Sequence, residues 1–347
     1  MKRALSDFRS DTVTRPTAAM RRAMAEAEVG DDVYREDPTV RRLEEETAER
    51  LGLAAALFVP SGTMGNQIAL RIHARSGTEV ILEARSHIFH FELGGMASLS
   101  GLLPRPVVGD RGRLPAAAVQ EWIRPEGVDY FPHTSVIAVE NTHNYAGGSV
   151  IPREGLDEIL ALARQRNLLV HLDGARLWNA AVAQNVSEAS LAAGFDSVMV
   201  CFSKGLRAPV GSAVAGSKEF VAEARKVRKL FGGGMRQVGV IAAGALIAIR
   251  HERGRLVEDH VRARRLAEAL APMPGITLDP ATVETNVVLV TLDAAKMAVP
   301  AFIQGLKDED VLCGAGMANE VRFLTHADVG DADVERAIAA VRKVLGS

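Results

Sequence analysis

The sequence predicts an α/β fold: a large unit built on a mostly parallel central sheet, followed by a smaller α/β unit at the carboxyl end. First, short apolar runs alternate with helical patterns from Ala54 to Phe202, the spacing of parallel strands covered by helices on both faces. Second, the chain is 48% hydrophobic but only 5% aromatic, which suits an Ala/Val/Leu-rich α/β protein. Third, at 347 residues it exceeds what one core usually supports, so two domains are expected.

Taken in order, the segment up to Gly30 mixes polar turns with a short helical pattern over Met20 to Ala27 and reads as an arm or edge. Pro38 opens a helix in which Val40, Leu43, Thr47 and Leu51 share a face, ending at Gly52. Strands are expected over 54–59, 79–82, 134–139, 168–172 and 197–202, and helices over 64–75, 90–98 and 156–166. After Lys218 the pattern turns helical over 219–230 and again from Met235 to Leu270. Pro272, Pro274, Gly275 and Pro280 break the chain there, and a strand over 286–292 opens a βα tail that ends at Leu345. The boundary is placed near residue 252, giving a large domain over 1–252 and a small one over 253–347.

With 41 basic and 43 acidic residues interspersed and a net charge of -2, no one-signed field attracts nucleic acid or an anionic membrane. Small molecules are the expected partners. Cys201 and Cys313 are far apart and belong to no metal-ligand or redox pair, and no metal site is expected. Met1-Lys2-Arg3 leads straight into Asp7, Arg9 and Asp11 rather than into the apolar run of a signal peptide, so the expected location is cytoplasmic. The longest apolar run, Val238 to Ile249, is too short to span a bilayer.

The chemistry gathers where the apolar runs stop, because in such sheets ligands bind beyond the carboxyl ends of the strands. The run Val198 to Phe202 ends in Ser203-Lys204-Gly205. A lysine at the end of a buried strand can serve as a nucleophile, or its stem can simply carry the charge back to water. The first strand ends in Pro60-Ser61-Gly62-Thr63, where glycine permits close approach and a helix start offers unpaired amides, suiting a phosphate or a plain helix cap. The strand before Asp173-Gly174-Ala175-Arg176 ends in a carboxylate that could hold a protonated heterocyclic nitrogen or cap the next turn. Phosphate cradle, aspartate and lysine at successive strand ends are together the contacts that pyridoxal 5'-phosphate requires. Glu140 to Asn144 and the glycine-rich turn Gly232-Gly233-Gly234-Met235-Arg236-Gln237 are further polar strand or helix ends. His87 and His90 follow another strand, where a histidine can stack on a flat ring or move a proton.

On these residues the chain resembles the L-threonine aldolases, of the β-eliminating lyase group within the aspartate-aminotransferase type, fold type I, of pyridoxal-phosphate enzymes. The likeness rests on Phe8 to Pro16, Val29 to Tyr34, Pro60 to Asn66, Glu140 to Asn144, His171 to Leu177, Cys201 to Leu206 with Ala208 to Ser212, and Gly232 to Gln237. It implies Lys204 as the Schiff-base lysine, Asp173 as partner of the ring nitrogen, and His87 as the stacking histidine. Ser61, Gly62, Thr63 and Ser203 become phosphate contacts, with Arg236 reaching the phosphate of a neighbouring subunit. Ser10, Arg176 and Arg322 form a clamp on the substrate carboxylate, and Phe91, Tyr34 and Tyr130 fall near the substrate. The implied assembly is a homotetramer, a dimer of dimers with sites at the subunit interface.

The implied reaction is retro-aldol cleavage of L-threonine, L-allo-threonine and related β-hydroxy-α-amino acids such as phenylserine to glycine and an aldehyde. Another β-eliminating lyase or an aminotransferase would use the same lysine and aspartate. The chain departs from the family at three places. Tyr130 stands where many members have a histidine serving the β-hydroxyl proton, so either His133 takes that role from a shifted loop or His87 acts through a water. Arg207 and Arg35 replace glycines, and both are expected to add positive charge near the site entrance and shift preference toward bulkier or anionic substrates.

Overall fold

The computed structural model of the chain describes residues 5–346. Its strands are β1 (Ser6–Asp7), β2 (Ala55–Val59), β3 (Glu79–Glu83), β4 (Leu103–Val107), β5 (Thr134–Glu140), β6 (Leu169–Gly174), β7 (Ser197–Cys201), β8 (Ser212–Gly216), β9 (Ile276–Thr277), β10 (Val287–Leu292), β11 (Val311–Leu312), β12 (Gly314–Ala315) and β13 (Glu320–Leu324). Seven of them form one sheet in the order β2-β8-β7-β6-β5-β3-β4, and only β8 opposes the direction of the rest. Because the others run one way, Ser61, Asn141, Asp173 and Lys204 all lie at or just past strand ends on the same edge.

The expected strands β2, β3, β5, β6, β7 and β10 are present within a residue or two of their expected bounds. Two strands of the large sheet had no sequence signal. β4 reads Leu-Pro-Arg-Pro-Val, and its two prolines are tolerated because it pairs on one side only, with β3. β8 reads Ser-Ala-Val-Ala-Gly and is buried throughout, small residues filling a crowded slot between β2 and β7.

The helix Pro38–Leu51 begins as expected: Asp37 accepts hydrogen bonds from the amides of Thr39 and Val40 at 3.1 and 3.0 Å, and Gly52 ends it with φ of 63°. The helix expected over 90–98 is instead two short pieces, His87–His90 and Gly95–Ser100. Leu93 and Gly94, both at positive φ, turn the chain between them, and this turn buries Glu92. The long helical stretch is likewise split into Gly239–His251 and Leu256–Leu270 by a 3-10 turn over Arg253–Arg255.

The main core packs the large sheet around Phe58, Ile81, Ile137, Trp178 and Val198. A second cluster gathers Leu266, Val290, Phe302, Phe323 and Val341, where β12, β13, β10 and β9 form a four-stranded antiparallel sheet. Phe8 belongs to this second cluster, and β1 pairs with β11 in parallel. The amino-terminal arm is therefore built into the carboxyl-terminal layer, which delivers Ser10 and Asp11 to the seam between the two cores.

The two arginines that replace family glycines both sit in left-handed backbone, Arg35 at φ 62° and Arg207 at φ 67°. Glycine adopts that region without the Cβ clash that costs other residues on the order of 1 kcal/mol. The Arg35 side chain is exposed, so Arg35→Gly is expected to raise stability by about 0.5 to 1 kcal/mol, read from the denaturation midpoint at unchanged slope.

Candidate active site

Asp173, the penultimate residue of β6, is 1% exposed. Its Oδ1 accepts from the Ala175 amide at 3.1 Å and its Oδ2 from Asn66 Nδ2 at 2.9 Å. Burial, reinforced by the nearby charges of Glu140 and Glu92, pushes its carboxyl up to about 6 against the pull of His87 and Lys204. One strand along, Lys204 lies half-buried in the turn after β7, where its carbonyl accepts from Thr14 Oγ1 at 2.9 Å. Its Nζ has no hydrogen bond or ion pair among the described residues. An amine free to react thus faces a carboxylate held in a dry pocket.

At the end of β2, Ser61 caps the helix Gly62–His73 by accepting from the Met64 amide at 3.2 Å. The amides of Gly62 and Thr63 precede any intrahelical acceptor and stay available at the positive end of the helix. A Cβ on Gly62 would fall 2.9 Å from Cys201 Sγ and 3.1 Å from Met199 Cε, so only glycine lets this turn lie against β7. The Gly232 to Gly234 turn presses on the same helix start, since a Cβ on Gly233 would meet Met64 Sδ. The Ser203 hydroxyl, beside Lys204, makes no hydrogen bond among the described residues.

His87 projects from the turn after β3. Its amide donates to Glu140 Oε2 at 2.7 Å, and its Nδ1 meets Glu92 Oε1 at 3.1 Å. Burial works against its charge, but Glu92, Asp173 and Glu140 carry its pKa above the usual imidazole value. Its ring centroid lies 5.6 Å from that of Phe91, which stacks on Tyr145 at 4.3 Å, and Arg322 lies over Tyr145 at 5.0 Å. Phe91, Tyr145 and Arg322 thus form one wall. Tyr145 escaped the sequence reading because nothing local marks it.

Arg176 is buried, and Asp11 takes its Nε and Nη2 in a two-pronged pair, each contact 2.8 Å. Burial alone would raise the Asp11 carboxyl, but the Arg176 guanidinium holds it well below the usual range. The remaining Arg176 nitrogen donates to Asn144 Oδ1 at 3.1 Å, and Arg322 Nη1 donates to the same oxygen at 2.9 Å. Arg322 has no carboxylate partner among the described residues, and its Nε is buried without any partner. Burial and the neighbouring Arg176 disfavour its charge. An arginine left in that state is a receptor for an anion. Ser10 stands at the same seam, its Oγ accepting from the amide and hydroxyl of Thr12 at 3.2 and 2.9 Å.

Other residues singled out from the sequence lie elsewhere on the chain. Tyr130 is 82% exposed and His133 is exposed; both precede β5, at the opposite edge of the sheet from Lys204. The seven residues of β5 put about 20 Å between the two edges, so neither reaches the site of its own chain. Tyr34, 72% exposed, and Arg236, whose Nη1 lies 3.4 Å from Asp31 Oδ2, form a separate outward-facing cluster. The expectation for Arg207 is corrected: its Nη2 donates to Asp328 Oδ1 at 3.2 Å and its Nε to the Arg15 carbonyl at 3.2 Å. That guanidinium is spent on a strap to the carboxyl-terminal layer, and Arg207→Gly is expected to leave the substrate profile unchanged in a comparison of threonine with phenylserine.

His87, Glu92 and Asp173 each place one ligand atom within 4.8 Å of the others, an arrangement that could hold a metal ion. Here Asn66 Nδ2 donates to both carboxylates, at 2.8 and 2.9 Å, and so occupies the space between them with N–H groups that a cation would oppose. The donor set fits a flat, phosphorylated heteroaromatic cofactor better: a buried acid for a ring nitrogen, free amides for a phosphate and a free amine between them.

A parallel sheet with reactive groups at its carboxyl edge and a second α/β layer closing over them defines the aspartate-aminotransferase type of fold. A threonine aldolase from Leishmania major superposes with a TM-score of 0.83 at 18% identity, covering 98% of this chain and 99% of that one. A Sphingomonas wittichii serine palmitoyltransferase superposes at 0.73 and 19% identity, covering 98% and 86%. The chain belongs to the β-eliminating lyase family, whose model matches residues 7–294. It is 42% identical over 343 residues to low-specificity L-threonine aldolase 1 of Arabidopsis thaliana, covering 98% of this chain and 96% of that one. It is 40% identical over 340 residues to low specificity L-threonine aldolase of Escherichia coli strain K12, covering 98% and 99%.

Proposed function

We propose that the protein is a pyridoxal-phosphate-dependent carbon–carbon lyase that cleaves L-threonine, L-allo-threonine and related β-hydroxy-α-amino acids such as phenylserine to glycine and an aldehyde. The observation that carries this reading is the placement of a free Lys204 amine beside buried Asp173, with Arg322, which lacks a carboxylate partner among the described residues, at the edge of the same cleft. When bound, the cofactor supplies an electron sink for the pair released as a bond at Cα breaks.

The chain supplies the rest. Asp173 would keep the ring nitrogen's proton in place, and the amides of Gly62 and Thr63 with the Ser61, Thr63 and Ser203 hydroxyls would hold the phosphate. Lys204, whose Nζ has no hydrogen bond or ion pair among the described residues, would be the amine that holds the cofactor. Arg322, with Arg176 and Ser10 behind it, would grip the substrate carboxylate and so fix the orientation of the bonds at Cα. His87 has Nδ1 tied to Glu92, which leaves Nε2 to take the β-hydroxyl proton directly or through a water. The same reading gives Phe91, whose ring lies 5.6 Å from that of His87, to the substrate's β-substituent.

Two predictions follow from these roles. Arg322→Gln is expected to raise KM for the amino acid by about 100-fold, the worth of a charge-assisted pair, with a smaller effect on kcat in steady-state rates. Because the imidazolium of His87 is favoured, kcat/KM should fall on the acid side with an apparent pKa above about 6.5, a limb that His87→Asn removes from the pH profile.

The same reading takes the molecule as a cytoplasmic homotetramer, a dimer of dimers. Tyr34 and Arg236 of one copy are then available to the site of another, and so are Tyr130 and His133; their exposure supports this. No described helix is long and apolar enough to cross a membrane. The division into 1–252 and 253–347 is supported by the break over Arg253–Arg255 and the separate hydrophobic clusters. The direct test is spectroscopic: protein incubated with pyridoxal phosphate should gain a visible band that Lys204→Ala lacks. A colourless wild-type protein would end the proposal.

A further inference from the structure

Behind Asp173 runs a chain of buried polar side chains that the reading above does not use. Asn66 Nδ2 bridges Asp173 Oδ2 and Glu92 Oε1, and Gln67 Nε2 donates to Glu92 Oε2 at 2.6 Å. On the far side of Asn66, its Oδ1 meets His171 Nε2 at 3.0 Å. His171 Nδ1 meets Ser197 Oγ at 2.8 Å, and Ser197 Oγ meets His73 Nε2 at 2.7 Å. His73 stacks on Phe220 with ring centroids 5.0 Å apart.

The direction of every bond in this chain is forced. An ionised carboxylate only accepts, so the Asn66 amide must turn its nitrogen to Asp173 and Glu92 and its oxygen to His171. His171 must then carry its proton on Nε2, and burial, which pushes it down to about 3, keeps it to that single proton. Its bare Nδ1 accepts the Ser197 hydroxyl proton, and Ser197 in turn accepts from His73. The result is a one-way series of donors that ends on two carboxylates.

We propose that Asn66 is a positioning residue that joins Asp173 and Glu92, and through Glu92 the ring of His87, into one hydrogen-bonded unit at the base of the cofactor site, with His171, Ser197 and His73 fixing the direction of its amide. The proposal rests on Asp173 and His87 being cofactor contacts. Asn66 and Gln67 lie on the helix whose first amides face the phosphate. One helix thus sets the spacing between the phosphate end, the ring nitrogen and the ring face.

The role has a consequence for pH. Asp173 is faced by Glu92 from the turn after the His87–His90 helix, by Glu140 at the end of β5, by His87, and by Lys204 from the turn after β7. Without Asn66 Nδ2, two buried carboxylates with a third close by lose the one donor they share, His87 and Lys204 are left to oppose their repulsion, and a proton enters the pair at higher pH. A neutral Asp173 no longer favours a protonated ring nitrogen, so the cofactor would be held more weakly.

The test is cofactor retention by the holoprotein, dialysed at a series of values between about pH 6 and about pH 9 and read by visible absorption. For Asn66→Ala the pH at which the cofactor is lost should rise by about one unit or more, a roughly ten-fold weaker hold near neutrality, while retention converges with wild type at the alkaline end. His171→Leu should shift the curve the same way, and His171→Gln, whose amide can still donate to Asn66 Oδ1, should restore it. If Asn66→Ala does not fold, the His171 pair decides the matter. Equal loss at every pH, or no shift in either variant, overturns the proposal. Undiminished retention by Asp173→Asn would instead overturn the reading on which it rests.

Discussion

Replacing Lys204 with alanine is expected to lower kcat for L-threonine by on the order of 10^4-fold, the largest effect of any single substitution in this chain. Among the described residues the Lys204 amine is the one whose charge both Asp173 and Asp11 feel. Its removal should leave the fold intact, because Nζ makes no hydrogen bond among the described residues and the backbone carbonyl, which accepts from Thr14 Oγ1 and the Arg207 amide, is kept. Steady-state rates together with an unchanged thermal midpoint check both halves. A variant with more than about a tenth of wild-type kcat would remove the lysine from the chemistry.

Asp173→Asn should cost on the order of 10^3-fold in kcat, since it deletes the fixed charge that keeps the ring nitrogen protonated. The same change should stabilise the cofactor-free protein at pH 8. The Asp173 carboxyl rises to about 6 in the folded chain against 3.8 for an ordinary aspartate, so folding favours the protonated form. Its contribution is favourable at low pH and is lost as pH rises between about 4 and about 6. Above that window the buried anion costs on the order of 1 to 3 kcal/mol, and asparagine removes the cost. Denaturant unfolding of cofactor-free protein should therefore find the variant more stable at pH 8 and the difference gone near pH 4. The opposite order would mean that Asp173 is not a destabilised anion.

Lys204, Asp173 and the Ser61-Gly62-Thr63 turn were legible in the sequence because each lies where a buried strand stops, and that boundary is local. The buried partner of Arg176 was not. Asp11 stands in a quoted motif, but it meets the arginine only because β1 pairs with β11 and draws the arm into the seam. Glu92 was hidden inside a segment that reads as helix until Leu93 and Gly94 turn it. Asn144 and Arg322 share a bond across the two layers, a relation that no spacing encodes. Among the strands, β4 and β8 were missed for opposite reasons, one because prolines argue against it and one because small residues carry no apolar signal. The sequence also suggested that Arg207 charges the entrance, whereas Asp328 claims its guanidinium.

The claim that matters most is that the Cα to Cβ bond is the one broken. Protein loaded with pyridoxal phosphate and given L-threonine should release glycine and acetaldehyde in equal amounts, at a rate that Lys204→Ala abolishes. Release of 2-oxobutanoate and ammonia without glycine would mean that the β-hydroxyl leaves instead, and would contradict the account.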